Sequence, residues 1–152
     1  IVAGLAACRL PGMRMRITSR AGDITWINDA YNANPDSMSS SLYWLKEFVV
    51  PERLILVLGD MLELGGYAAA GHRGVLEQAA AMFPRAQIYA VGAEMTAATR
   101  SLPSALQKKI ICCPDAATAT KCLSGTIAAG STVFLKGSRG MKLEQVEPGG
   151  VK

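Results

Sequence analysis

Long hydrophobic runs are missing from this sequence, and no apolar stretch approaches the length of about 20 residues that a membrane-spanning helix needs. The four cysteines, Cys8, Cys112, Cys113 and Cys122, form no C-x-x-C pair. That argues against a zinc site or disulfide framework and for buried, reduced thiols. Basic residues are in excess, giving a net charge of +4, but they are scattered without interleaved aromatics, so nothing recommends a nucleic-acid surface. Neither G-x-x-x-x-G-K-[ST] nor G-x-G-x-x-G occurs, so the chain carries no phosphate cradle of the usual kinds. No initiator methionine precedes Ile1. The apolar stretch Ile1 to Ala7 has no basic region before it and reads as the tail of a helix, not a signal peptide. A piece of a longer protein is therefore expected.

What is present is the composition of a folded domain. Half of the 152 residues are apolar and 18% are charged, enough to bury a sizeable core. Strand-like and helix-like segments alternate. Ile24 to Asn28 reads as a strand. Leu54 to Leu58 is apolar at every position, as a parallel strand covered on both faces should be. Ile88 to Val91, Ile110 to Cys113 and Val133 to Leu135 repeat the pattern. Met38, Leu42, Leu45 and Val49 follow helical spacing after Pro35, and Ala116, Ala119, Leu123 and Ile127 do so after Asp115, a candidate N-cap. His72 to Phe83 and Ala93 to Arg100 are further helix candidates. The predicted fold class is α/β: a Rossmann-like, open, mostly parallel sheet with helices on both faces. Leu10 to Met13 is a turn or linker signal, Met13 to Thr18 could be extended, and the domain is expected to start near residue 20.

Ligands on such sheets bind outside the carboxyl ends of the strands. That rule selects the loops Asp29 to Pro35, Gly59 to Gly66, Gly92-Ala93, Pro114-Asp115 and Lys136 to Gly140. In the first, Asn34 can cap a helix with Pro35 at its first position, and the helix start suits an anion or a polar nucleotide edge. Tyr31 offers a stacking ring, and Asp29 an acceptor for a ribose hydroxyl. The alternative is an ordinary capping turn. In the second, Gly59 allows close backbone approach to a ligand, and Asp60 with Glu63 could hold a cation or ammonium group; the alternative is a solvated loop. His72 is the only histidine, and a lone histidine near a helix start suits a surface or supporting role better than that of a catalytic base. In the third, Lys136, Ser138 and Arg139 offer a cation, a hydroxyl and a bidentate fork for carboxylate or phosphate, between a strand and an expected helix. The alternative is an exposed basic turn.

The stretches Asp29-Ala-Tyr-Asn-Ala-Asn-Pro-Asp-Ser37, Val57-Leu-Gly-Asp-Met-Leu-Glu-Leu-Gly65 and Leu135-Lys-Gly-Ser-Arg-Gly-Met-Lys-Leu-Glu144 resemble the C-terminal-domain motifs of the Mur ligase family. Among its branches they are similar to the one that adds D-alanyl-D-alanine to UDP-N-acetylmuramoyl-tripeptide in peptidoglycan precursor synthesis. The resemblance covers residues 20 to 147, and residues 1 to 19 resemble the end of the family's central ATPase domain. It implies a bacterial, cytoplasmic, ATP-dependent peptide ligase acting through an acyl phosphate. Magnesium ligands are then expected in the central domain, no metal site in this chain, and an isolated fragment that is inactive. By position, Asp29, Tyr31, Asn32 and Asn34 match the loop against the adenosine of ATP. Asp60, Lys136, Ser138 and Arg139 match the D-Ala-D-Ala side, with Glu63 and His72 as possible supporting residues. Asn28 stands where the family usually has an acid, and residues 66 to 70 are poorer in acids than expected, which suggests a variable surface loop. Rival readings are a non-catalytic α/β nucleotide-binding or interaction module and another Mur or folylpolyglutamate-type ligase.

Overall fold

The computed structural model describes residues 13–49 and 53–146. The expectations for Ile1 to Ala7, for most of the Leu10 to Met13 turn and for Cys8 lie outside the described residues. Six strands form one sheet: β1 (Arg16–Arg20), β2 (Ile24–Asn28), β3 (Leu54–Gly59), β4 (Gln87–Val91), β5 (Ile110–Cys113) and β6 (Thr132–Lys136). The order across the sheet is β1-β2-β6-β3-β4-β5. Only β1 runs antiparallel, pairing Arg16 with Asn28 and Arg20 with Ile24; every other neighbour is parallel. The helices are α1 (Pro35–Phe48), α2 (Ala68–Met82), α3 (Ala93–Ser101), the short α4 (Ser104–Gln107) and α5 (Ala116–Leu123).

Handedness explains where the helices go. The crossovers β2-α1-β3, β3-α2-β4 and β4-α3-β5 all progress toward the β5 edge, so right-handed connections place α1, α2 and α3 on one face. The crossover from β5 to β6 runs back past β4 and β3, so the same handedness puts α5 on the other face. The core divides accordingly. Leu54, Leu56 and Leu58 of β3 join Met38, Leu42 and Leu45 of α1, Leu76 of α2 and Met95 of α3. The alternate residues Ile55 and Val57 join Ala119 and Leu123 of α5. Burial on both faces is what the unbroken apolar run of β3 demands.

The strand expectations hold with small boundary shifts, and five local expectations change. α5 stops at Leu123, because Gly125 takes a left-handed conformation (φ 82°) that ends the helix; Ile127 is buried beyond it. Residues 68 to 70, expected in a variable loop, form the first turn of α2. After β6 comes a pair of 3-10 turns, Arg139–Met141 and Leu143–Gln145, with Lys142 at φ 52°, where an α-helix was expected. The sheet also begins ahead of residue 20. β1 overlaps the Met13 to Thr18 stretch expected to be extended but lies ahead of the expected domain start, and its terminal arginines, Arg16 and Arg20, suit an exposed edge strand. Of the cysteines, Cys113 and Cys112 do face opposite ways, so Cys113 is buried while Cys112 is exposed, against the expectation of uniformly buried thiols. Burial pushes the Cys113 thiol up to about 12, with the neighbouring Cys122 adding to the shift.

Candidate functional site

Because β6 is inserted between β2 and β3, the loop it feeds lies between the loops that follow those two strands. The chain after β2 leaves on the α1 face, whereas the chain after β6 turns to the α5 face, where Leu143 is buried. Such a divergence of neighbouring connections opens a crevice at the carboxyl ends of the strands.

On the β2 side the tie is ionic. Lys136 Nζ lies 2.6 Å from Asp29 Oδ2, and both residues are buried. Asp29 also accepts from the Met15 amide at 3.1 Å and from the Ser41 hydroxyl at 3.0 Å. A weaker contact of 3.4 Å links Lys136 to the Asn32 carbonyl. Asp29 therefore joins β1, α1 and β6, and its carboxylate is already occupied within the chain. Asn28, in place of the expected acid, accepts from the Ala30 amide at 3.0 Å, a turn-forming contact that an amide oxygen makes as well as a carboxylate would.

On the β3 side the ties are hydrogen bonds, with no ion pair among them in the described residues. Asp60 turns its carboxylate onto the first turn of α3, accepting from Glu94 N at 3.2 Å and Met95 N at 2.8 Å. These are orphan donors of a helix start, where a negative charge is favoured. Gly92 makes the approach possible. It sits at φ +113°, and a Cβ there would fall 2.3 Å from Asp60 Oδ2. The Asp60 carbonyl accepts from Ser138 N at 3.0 Å, and the Ser138 hydroxyl accepts from Leu62 N at 2.9 Å. His72, fully buried on α2, receives the Met61 amide on Nε2 at 2.8 Å and donates from Nδ1 to Ala68 O at 2.7 Å. Glu63 stands exposed at the loop tip with φ 72°. Gly59 serves a different end from the ligand approach expected of it: a Cβ there would meet Leu143 Cδ1 at 2.9 Å, and one on Gly137 would meet the Gly59 Cα at 3.0 Å. Bare backbone at both positions lets β3 and β6 close over Leu143.

Of the expected site residues, Tyr31, Asn32, Asn34, Glu63 and Arg139 remain accessible. Tyr31, Asn32 and Asn34 line a cleft of about 430 Å³ together with Arg14, Ser37 and Lys136. Asn34 caps α1 in a complete capping box, accepting from Ser37 N at 2.8 Å while Ser37 Oγ accepts from Asn34 N at 3.0 Å. The Tyr31 ring carries two guanidinium groups, Arg14 at 4.4 Å and Arg139 at 5.7 Å from its centroid. Arg14 was not among the expected residues, because it lies ahead of the expected domain start, in a stretch read only as extended. Its signal was the alternating Arg14-x-Arg16 pattern of an edge strand leading into the site. A larger groove of about 620 Å³ lies at the amino ends of β2 and β6, lined by Ile17, Trp44 and Phe48 with Arg53. It lacks the convergent polar groups of the smaller cleft, which is the better ligand site.

The fold and this crevice define an α/β domain with three strand-end loops gathered at the carboxyl end of its sheet. Residues 13–139 match the model of the Mur ligase glutamate ligase domain, and the chain belongs to that family. It is 36% identical over 127 residues to the UDP-N-acetylmuramoyl-tripeptide–D-alanyl-D-alanine ligase of Treponema pallidum, covering 82% of this chain and 27% of that protein. The ligase of the same name from Bacillus subtilis is 30% identical over 94% of this chain and 31% of its own length. A crystal structure of MurF from Acinetobacter baumannii superposes with a TM-score of 0.80 and 29% identity, over 95% of this chain and 32% of that one. The MurF ligase of Thermotoga maritima in complex with ADP superposes with a TM-score of 0.70 and 25% identity, over 96% of this chain and 32% of that one. The chain thus spans less than a third of each of these proteins.

Two substitutions test this architecture. Asp29→Ala strands a buried ammonium group and should cost about 3–5 kcal/mol of unfolding free energy, with Asp29→Ala/Lys136→Met recovering part of the loss. Chemical denaturation of both variants measures it, and a near-neutral single variant would remove the ion pair from the framework. Gly92→Ala must relieve both a positive φ and the overlap with Asp60, so a loss of about 3 kcal/mol or more is expected. A thermal midpoint like that of the parent would contradict the Asp60 clamp.

Proposed function

We propose that this chain is the C-terminal domain of a bacterial ligase that uses ATP to join D-alanyl-D-alanine to a UDP-N-acetylmuramoyl-tripeptide. In this reading the ATP-binding central domain and the nucleotide-sugar domain belong to the remainder of the protein, so the chain alone is inactive. The observation that carries the proposal is the meeting of two loops at one ring. Arg139, from the loop after β6, and Tyr31, from the loop after β2, share a wall of the crevice. The relatives named as UDP-N-acetylmuramoyl-tripeptide–D-alanyl-D-alanine ligases support it, because they align across 82% and 94% of this chain.

The residues fit the two small ligands. Tyr31 gives a flat face for the adenosine, with Asn32 and Asn34 at its edge, and the start of α1 favours an electronegative group. Arg14, in the same cleft, adds a cation on that side. D-alanyl-D-alanine is a zwitterion whose carboxylate must be held while its amine attacks the activated tripeptide carboxyl. Arg139 is an exposed guanidinium 5.7 Å from the Tyr31 ring, and its planar fork can grip a carboxylate with two parallel hydrogen bonds. ATP supplies the activation that makes the tripeptide carboxyl a good acyl donor. Magnesium is assigned to the central domain. Asp60, Ser138 and Lys136 then serve the dipeptide side from behind, by fixing the loop. A cytoplasmic location follows from the same reading; among the described residues no helix is long and apolar enough to cross a membrane.

Arg139→Lys in the full-length enzyme tests the assignment. Lysine keeps the charge and loses the fork. The KM for D-alanyl-D-alanine should rise by the equivalent of about 1.5–3 kcal/mol, the range of a charged hydrogen bond, with little change in the KM for ATP. A defect confined to ATP would move Arg139 to the nucleotide. Lowered thermal stability with unchanged kinetics would make it a brace.

A further inference from the structure

His72 touches neither the cleft nor any exposed group, yet its protonation state is fixed by its surroundings. The Ala68 carbonyl can only accept, so Nδ1 must carry the proton. The Met61 amide can only donate, so Nε2 must present a lone pair. The ring is therefore held in one tautomer, between the first residue of α2 and the segment after β3. That segment holds the Arg139 loop from both sides of Met61. Asp60 O accepts from Ser138 N at 3.0 Å, and Leu62 N donates to the Ser138 hydroxyl at 2.9 Å. Leu62 also packs against Gly140, where a Cβ would lie 2.8 Å from Leu62 Cδ1. His72 thus grips the middle residue of three, and the outer two fix the residues on either side of Arg139. The helix has its own anchor, since a Cβ on Gly71 would meet Leu64 at 3.1 Å and Pro35 of α1 at 3.2 Å.

We propose that His72 is a positioning residue for Arg139: through the Met61 amide it sets the height of the loop that receives the dipeptide carboxylate, without touching the dipeptide. The claim rests on the function proposed above only for the identity of the ligand. Side-chain length separates this role from plain support of α2. A glutamine at position 72 carries an acceptor near the place of Nε2 and can keep the Met61 bond. An asparagine reaches only the place of Nδ1, so it can keep the contact within α2 and loses Met61.

The test uses His72→Gln and His72→Asn with two readouts. In this chain, amide hydrogen exchange at Met61, Leu62 and Ser138 should stay near the parent rate for glutamine and quicken about tenfold or more for asparagine, the loss expected for one buried hydrogen bond. In the full-length enzyme, His72→Asn should raise the KM for D-alanyl-D-alanine about tenfold with the KM for ATP within about twofold, and His72→Gln should restore the parent value. Equal behaviour of the two variants, including loss of folding in both, overturns the proposal. So does fast exchange in the asparagine variant without a change in dipeptide KM. If the parent enzyme does not use D-alanyl-D-alanine at all, the functional reading fails. The exchange rates, together with the chemical shift of the Arg139 amide, still decide whether His72 holds the loop.

Discussion

The ion pair between Lys136 and Asp29 is the constraint around which the crevice is organised. Two opposite charges buried at the carboxyl end of a parallel sheet are tolerable only if each is well partnered, because desolvating a lone charge costs several kcal/mol. Asp29 meets the condition with a salt bridge, a hydroxyl and a backbone amide. Since those partners come from β6, α1 and the lead into β1, satisfying one carboxylate fixes three elements relative to β2. Lys136 is drawn out of solvent into the same knot, so its charge is spent on structure before any ligand arrives.

The other half of the crevice is fixed by hydrogen bonds and close packing, not by an ion pair. Asp60 places its charge on the α3 helix start and offers its backbone to Ser138. Close approach replaces electrostatics here. Gly59, Gly137 and Gly92 each sit where a side chain would overlap a neighbour, so the strands can converge at their ends more tightly than residues with a Cβ allow. The two halves meet at β6, whose place between β2 and β3 follows from the reversed crossover through α5.

Much of this fold could be read from the sequence because it is written in local patterns. The unbroken apolar run of β3 announced burial on both faces, and Asn34-Pro35 announced the start of α1. The site was legible as a set of loops but not as a set of roles. Lys136 beside two glycines looks like an exposed basic turn, and only a partner 107 residues away makes it a buried one. Asp60 looks like a ligand acid because nothing nearby shows that α3 begins beside it. His72 was legible only as a lone histidine suited to a surface or supporting role, and what it supports was not, since its partners are backbone groups, which carry no sequence. Arg14 was hidden for a different reason: an antiparallel edge strand ahead of a parallel sheet breaks the strand–helix rhythm, so its extended stretch was placed ahead of the domain.

What remains at the mouth is decided by magnitudes. With Lys136 neutralised, Arg14 and Arg139 are the cations nearest the crevice, and the described contact of each there is with the face of Tyr31. A cation resting on an exposed ring gains only about 0.5–1 kcal/mol. A guanidinium bonded to a carboxylate or phosphate gains about 1.5–3 kcal/mol per charged hydrogen bond. An arriving anion therefore outcompetes the ring for either arginine, and the ring face given up becomes available to a flat ligand. Tyr31 holds both arginines extended over the crevice at little cost. That spares a ligand part of the side-chain ordering penalty of about 0.5–1.5 kcal/mol that each mobile arginine would otherwise impose.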